Sequence, residues 1–153
     1  MNAKFYYNDD NAPTPNLPTS IGITAIIKYN DQYLFESRAD CDQWSLIGGG
    51  MEDNESLEEC AIREILEETG INTKVTDLNL VKLYSCPSRI AEYPDGNVIR
   101  IVSAVFEIVL KTKPHLICSE ESLELKWVKI DKISNLDIVN THKHIVEELI
   151  LGM

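Results

Sequence analysis

Positive charge is scarce in this chain. Fourteen lysines and arginines stand against 25 aspartates and glutamates, a formal net charge of −11. Such a chain has no electrostatic reason to approach a nucleic-acid backbone or an anionic membrane, so a long nucleic acid or a membrane surface is disfavoured as a partner. Small phosphorylated substrates stay open, because a divalent cation bridges carboxylates to phosphate. Long apolar runs are missing too: Ile21–Ile27 and Val102–Leu110 are too short to span a bilayer as helices. Residues 1–10 lack a basic stretch followed by an apolar one, so no secretory signal is read and a cytoplasmic protein is expected. The four cysteines, Cys41, Cys60, Cys86 and Cys118, form no C-x-x-C pair and are expected to be reduced. His115, His142 and His144 lie far from most of them, and two residues of helix turn His142 and His144 about 200° apart, so a zinc site is not expected. Internal repeats and low-complexity tracts are also absent.

What is present fits one globular domain. The chain has 153 residues, 44% of them hydrophobic and 25% charged, and a chain of this size buries about two-thirds of its unfolded surface. The polar segment 8–18, with Pro13, Pro15 and Pro18, reads as an arm, and residues 1–7 as an edge strand or tail. The division is therefore an arm or edge strand over 1–19 and a single domain over 20–153. Strands are expected at 20–29, 32–38, 44–50, 80–86, 97–110 and 124–130, with turns at Asn30-Asp31 and Tyr93-Pro94-Asp95-Gly96. Residues 55–69 read as a helix with a capping-box spacing at Ser56 and Glu59 and a stop at Gly70, although Asn54 also suits the cap. A closing helix spans 141–151, with Ile145, Leu149 and Ile150 inward. This order is α+β, helices packed on a mixed sheet.

The middle helix carries the chemistry. With Glu64 at 0° on a wheel, Glu67 falls near about −60° and Glu68 near about +40°, so three carboxylates share one face. Ala61, Ile62, Ile65 and Leu66 form the core-facing stripe on the same wheel. Like charges at these spacings destabilise a helix by roughly 0.2–0.5 kcal/mol per pair, and a hard divalent cation among them removes that cost. A solvated acidic face is the plainer account of the same pattern.

The wider spacing changes the balance. Gly49-x5-Glu55-x7-Arg63-Glu64-Ile65-x-Glu67-Glu68-x-Gly70-Ile71 fills every position of the motif it resembles, the Nudix box of the Nudix hydrolases, over 23 of 153 residues. Trp44-Ser45-Leu46 and Trp127-Val128 also sit where the family has similar residues, whereas Ile47 replaces a frequent proline and is expected to alter the loop's rigidity. The resemblance implies a Nudix-type α/β/α sandwich with a mixed β-sheet. It implies divalent-metal-dependent hydrolysis of a diphosphate bond in a nucleotide derivative, such as ADP-ribose, a nucleotide sugar or a non-canonical nucleoside triphosphate.

Carried over position by position, the resemblance makes Glu64, Glu67, Glu68 and Arg63 the catalytic set. Glu64 is the first choice for general base. Glu64, Glu67, Glu68, the Gly48 carbonyl and Glu121 are the expected ligands of Mg²⁺ or Mn²⁺. Arg63 and Glu55 are expected to orient the carboxylate face. Glu121 is chosen over Glu120 and Glu124 by its spacing from Trp127, and Glu52 is a weaker candidate. Gly49 is expected to let substrate approach the backbone. Arg38, ending the second strand, is a candidate for a substrate phosphate as well as an ordinary surface arginine. Phe5, Tyr7, Tyr84 and Tyr93 are candidates to stack on a base. Related proteins isomerise isoprenoid diphosphates with a cysteine and a glutamate, which draws notice to Cys60, one turn before Glu64. A non-catalytic nucleotide sensor is the other alternative. Homodimers are common in such families, but no interface is legible.

Overall fold

A computed structural model describes residues 2–153; Met1, included above in the expected N-terminal arm, lies outside them. The elements run β1 (Lys4–Tyr6), β2 (Ser20–Tyr29), β3 (Gln32–Arg38), β4 (Trp44–Ser45), β5 (Ile47–Gly50), α1 (Leu57–Thr69), β6 (Asn79–Tyr84), β7 (Ile90–Glu92), β8 (Val98–Leu110), β9 (Ser122–Lys129) and α2 (Asn140–Leu149). Single 3₁₀ segments at Val75–Asp77 and Ile130–Asn135 link the later parts. Neither these segments nor the short β7 is anticipated from the sequence: at three residues β7 is too brief to show a periodicity. Among the described residues, no helix is long and apolar enough to cross a membrane.

The sheet is mixed. β2 and β8 run parallel over ten residue pairs, Ser20↔Ile101 to Tyr29↔Leu110, and the other pairings are antiparallel. Because side chains alternate across a strand, the central strands feed two cores. Ile23, Ala25 and Ile27 of β2, with Leu34, Ala104 and Phe106, pack against Cys60, Ala61 and Ile65 of α1. Ile26, with Tyr33, Phe35 and Val105, packs against Ile145, Val146 and Ile150 at α2. The result is the α/β/α sandwich.

One departure from regular pairing makes room for a site. The β2–β3 hairpin turns at Asn30, whose φ of 52° suits asparagine. It pairs only at Lys28↔Tyr33 and Tyr29↔Gln32. Beyond that β5 takes over the edge of β2, from Ala25↔Ile47 to Gly22↔Gly50, while β3 pairs with β4 and β9. A cavity of about 670 Å³ opens where β2 and β3 part, lined by Gly22–Thr24 on one side and Glu36 and Arg38 on the other. Ile47, in place of the frequent proline, is fully buried as the first residue of β5.

Behind the cavity lies a buried cation without a carboxylate. Arg89 is fully buried. Its guanidinium donates to the carbonyls of Tyr84 (3.2 Å), Ile101 (2.9 Å) and Thr141 (2.8 Å), to Ser103 Oγ (3.2 Å) and to His144 Nε2 (3.2 Å). Burial pulls its pKa down to about 10. It joins the end of β6, the middle of β8 and the start of α2 with one side chain. Arg89→Met leaves several carbonyls without their donor, at about 1–3 kcal/mol for each group stranded. The variant is expected to lose at least about 3 kcal/mol of unfolding free energy in urea titrations, and a wild-type midpoint would refute the hub assignment.

Candidate active site

Helix α1 begins as its capping signal predicts. Ser56 is the N-cap: its Oγ accepts from Glu59 N–H (3.1 Å), and Glu59 Oε1 accepts from Ser56 N–H (3.0 Å). Asn54 is not the cap. At the other end Gly70 adopts φ 77°, and its N–H donates to Leu66 O (2.9 Å).

The helix faces the sheet at a different angle from the one the apolar pattern suggests. Its buried residues are Cys60, Ala61, Glu64, Ile65, Glu68 and Thr69, while Leu66 is 45% exposed. The expected inward stripe through Ile62 and Leu66 is therefore corrected. The hydrophobic pattern alone misplaces it because two glutamates, Glu64 and Glu68, occupy part of the inner face. Only Glu67 of the three points largely outward, with its side chain 58% exposed.

Arg63 organises this face with all five of its N–H groups. Nε and Nη2 donate to the two Glu55 oxygens (2.9 and 2.7 Å), and Nη2 also donates to Gly50 O (3.0 Å). Nη1 donates to Glu64 Oε1 (2.8 Å) and Glu67 Oε2 (3.2 Å). Glu59 is taken by the cap, and Glu52 stays 3.8 Å from the guanidinium. The bidentate Arg63 pair drives the Glu55 carboxyl down to about 2. Arg63 has no donor left for substrate, so it acts by fixing carboxylates.

Glu64 and Glu68 face the cavity together with Gly48, Gly49, Gly50 and Glu121. The Glu68 carboxyl is pushed well above the ordinary range by burial and by hydrogen-bond contact and like charge from Glu36 and Glu121. Burial also raises Glu64, against the opposing pull of Arg63. Glu120 and Glu124 do not line the cavity, whereas Glu121 does. Its backbone carbonyl accepts from Ala39 N–H (3.1 Å), which ties its loop to the end of β3.

Glu36 is the residue the sequence reading missed. It is 5% exposed, and its carboxylate accepts from Ser45 Oγ (3.0 Å) and Ser122 Oγ. A signal existed: alternation along β3 puts Glu36 on the face of Leu34, an acid at an inward position.

These donors suit a divalent cation. Carboxylates crowded into contact need a shared proton or a cation between them, and hard oxygen ligands select ions such as Mg²⁺ and Mn²⁺. Among the described residues no three His, Cys, Asp or Glu side chains are already arranged as a metal cage. That is compatible with an ion that keeps several waters.

The glycines are required by clearance. A Cβ on Gly22 would lie 2.2 Å from Gly49 O, one on Gly48 2.4 Å from Ile23 O, and one on Gly49 2.3 Å from Glu64 Cδ. Gly49→Ala is expected to displace the Glu64 carboxylate. Mn²⁺ affinity, read by titration calorimetry, should fall at least about ten-fold while the circular dichroism stays unchanged; undiminished affinity would contradict this role for Gly49.

The other expected residues fall into two groups. Arg38, Phe5 and Tyr93 line the same cavity. Tyr7 and Tyr84 instead surround His144, Tyr7 stacked on it at 3.7 Å and Tyr84 edge-on at 5.4 Å. Cys60 is fully buried on the inner face of α1 and does not line the cavity; burial, then its contact with Glu55, pushes its thiol up to about 12. A cysteine proton relay therefore has no support.

His142 does reach the cavity, opposite in direction to His144. Its Nδ1 accepts from Leu46 N–H (3.1 Å), which leaves Nε2 as the protonated nitrogen of the neutral ring. Burial first, then the charges of Arg38, Arg89 and His144, holds its pKa well below 6.5. The unfolded chain thus binds a proton that the folded one refuses, so this contribution to stability is full above pH 6.5 and is lost as the pH falls below it. The stability advantage of wild type over His142→Asn, from urea titrations at pH 8 and 5.5, is expected to shrink at the lower pH. An advantage that does not change would exclude a neutral His142.

Comparison with known proteins identifies the family. Residues 19–149 match the family model described as the NUDIX domain. The nucleoside triphosphatase NudI of Enterobacter sp. (strain 638) is 31% identical over 125 residues, 76% of this chain and 86% of that protein. NudI of Klebsiella pneumoniae (strain 342) is 34% identical over 98 residues, 63% and 68% of the two chains. Among solved structures, the fold is similar to a bifunctional NMN adenylyltransferase/ADP-ribose pyrophosphatase from Francisella tularensis, complexed with AMP and a Mn ion. That match has a TM-score of 0.74 at 24% identity and covers 91% of this chain but only 43% of the longer protein. With 131 consecutive residues matched and the acidic helix set against its glycine strand, the chain belongs to the Nudix hydrolase family.

Proposed function

We propose that this protein is a pyrophosphohydrolase that cleaves a diphosphate linkage in a nucleotide derivative with the help of Mg²⁺ or Mn²⁺. The observation that carries the reading is the convergence of Glu36, Glu64, Glu68 and Glu121 at one end of a cavity of about 670 Å³, large enough for a nucleotide. Glu64, Glu67 and Glu68 would hold the ion, with the Gly48 carbonyl and Glu121 as further oxygen ligands. A bound divalent cation supplies charge neutralisation of the diphosphate and a more acidic water. The chain's own residues do the rest. Arg63, itself anchored on Glu55, keeps Glu64 and Glu67 in place. Glu64 accepts the proton of the attacking water as that water's oxygen bonds to phosphorus and the bridging P–O bond breaks. Gly49 lets the phosphates approach the backbone. Arg38 contributes to substrate binding from the far wall.

The relatives name the first compounds to try: nucleoside triphosphates, from the NudI proteins, and ADP-ribose, from the Francisella enzyme. A panel of both, with nucleotide sugars and dinucleoside polyphosphates, is expected to give 5′-nucleotide products by mass spectrometry only when about millimolar Mg²⁺ or Mn²⁺ is present. Glu67→Gln and Glu68→Gln should each lower that rate at least about ten-fold with the fold retained. Metal-dependent turnover at the wild-type rate in both variants would remove them from the site, and binding without cleavage of any compound would make the protein a nucleotide sensor.

A further inference from the structure

Glu36 is a buried acid held in place by neutral groups. It stands on β3 directly opposite Ser45 of β4, and the start of β9 brings in Ser122, which is paired with Arg38. Ser45 Oγ donates to Glu36 Oε1 (3.0 Å) and Ser122 Oγ to Glu36 Oε2. Both serines are buried as well. One hydroxyl on each oxygen fixes the plane of the carboxylate, and one side chain ties three strands together. Two hydroxyls hold a carboxylate without cancelling its charge. Among the described residues no guanidinium, ammonium or imidazole forms an ion pair with Glu36 or with Glu68. Glu68 of α1 is 4% exposed, lines the cavity and is in side-chain contact with Glu36 and Glu121. Glu68 therefore has a clamped acid on it from the sheet and the cavity beside it.

We propose that Glu36 is a positioning residue that acts through Glu68: its clamped carboxylate gives Glu68 no counter-charge within the protein and so keeps Glu68 available to a divalent cation. The inference rests on the proposed metal-dependent hydrolysis for the identity of that ligand. Buried carboxylates in contact lower the stability of the empty fold, and a bound cation offsets that cost. Stability without metal and affinity for metal are therefore opposed at this residue. An acid that only clipped β4 and β9 to β3 would show no such opposition. Glu36→Gln separates the two roles. The amide matches the carboxylate in size, and a serine hydroxyl both donates and accepts, so Ser45 and Ser122 keep a partner each. The amide also brings an N–H donor that Glu68 lacks in the wild type, which stabilises Glu68 inside the protein and weakens its demand for a cation.

The test compares the full chain and its variants at one pH, by urea titration in EDTA and by Mn²⁺ titration calorimetry. In EDTA the midpoint of Glu36→Gln should rise above wild type by at least about 0.5 M. Its Mn²⁺ affinity should fall at least about ten-fold. Added to Glu68→Gln, the same substitution should move neither quantity much further, because its effect passes through Glu68. A midpoint that falls, or a variant that does not fold, makes Glu36 a structural clip and overturns the inference. Unchanged Mn²⁺ affinity overturns it too. So does a loss of affinity that repeats in full without Glu68, which would make Glu36 a ligand in its own right. Any of these results alongside metal-dependent cleavage of nucleoside triphosphates by wild type leaves the hydrolase standing. The expected pattern of stability and Mn²⁺ binding with no compound cleaved retains the role of Glu36 and overturns the hydrolase.

Discussion

Like charges brought together away from water repel, and the whole candidate site is arranged around that fact. Helix α1 carries five glutamates and one arginine, and the fold turns two of those glutamates inward to meet Glu36 from β3. Arg63 offsets part of the repulsion through Glu64 and Glu67. It cannot reach the inner group formed by Glu36, Glu68 and Glu121, because every one of its N–H groups is already used on Glu55, Glu64, Glu67 and Gly50. In the absence of a cation, a proton on the raised Glu68 carboxyl has to serve there. Burying several carboxylates this way is a poor route to stability, since replacing buried charge by apolar packing is often neutral or better. Chemistry is the more economical account of why they are there.

The backbone makes that crowding possible by coming unusually close. β5 lies against β2 with contacts that a Cβ at Gly22 or Gly48 would block, and Gly49 leaves its Cβ position to the Glu64 carboxylate. The parting of β2 from β3 opens the cavity on one side of this contact, and the Ser56 and Gly70 caps fix where α1 starts and stops along it. Arg89 then secures the opposite wall, joining Ile101 and Ser103 of β8 to Thr141, three cavity-lining residues. Position in this site is therefore set by ladders and caps more than by loops, which suits a reaction that depends on aligning groups to within a fraction of an ångström.

Much of this was legible in the chain, and what was not has identifiable causes. The caps of α1 are local chemistry, read from Ser56, Glu59 and Gly70 alone. The long strands declare themselves through β-branched runs, and the site helix through the spacing from Gly49 to Ile71. The helix's rotation was misread because a hydrophobic wheel assumes that carboxylates seek water, an assumption that Glu64 and Glu68 break. Glu36 was passed over because its partners, Ser45 and Ser122, are 9 and 86 residues away and nothing local marks them. The Arg38–Asp40 pair is only two residues apart, yet its place beside Phe5 depends on β1 crossing to β7, a long-range pairing.

The two ends of the cavity divide the electrostatic work. The carboxylate end holds surplus negative charge, so an anionic diphosphate can settle there only with a cation, and binding and chemistry become inseparable from the metal. Elsewhere in the cavity Arg38 is paired with Asp40 and His142 is kept uncharged, so little free charge is offered there. A substrate spanning both ends needs a compact anionic group joined to a flat, polar-edged ring, which is the chemical outline of a nucleotide. Because the whole chain carries −11, an anion that reaches this cavity gains nothing from general attraction.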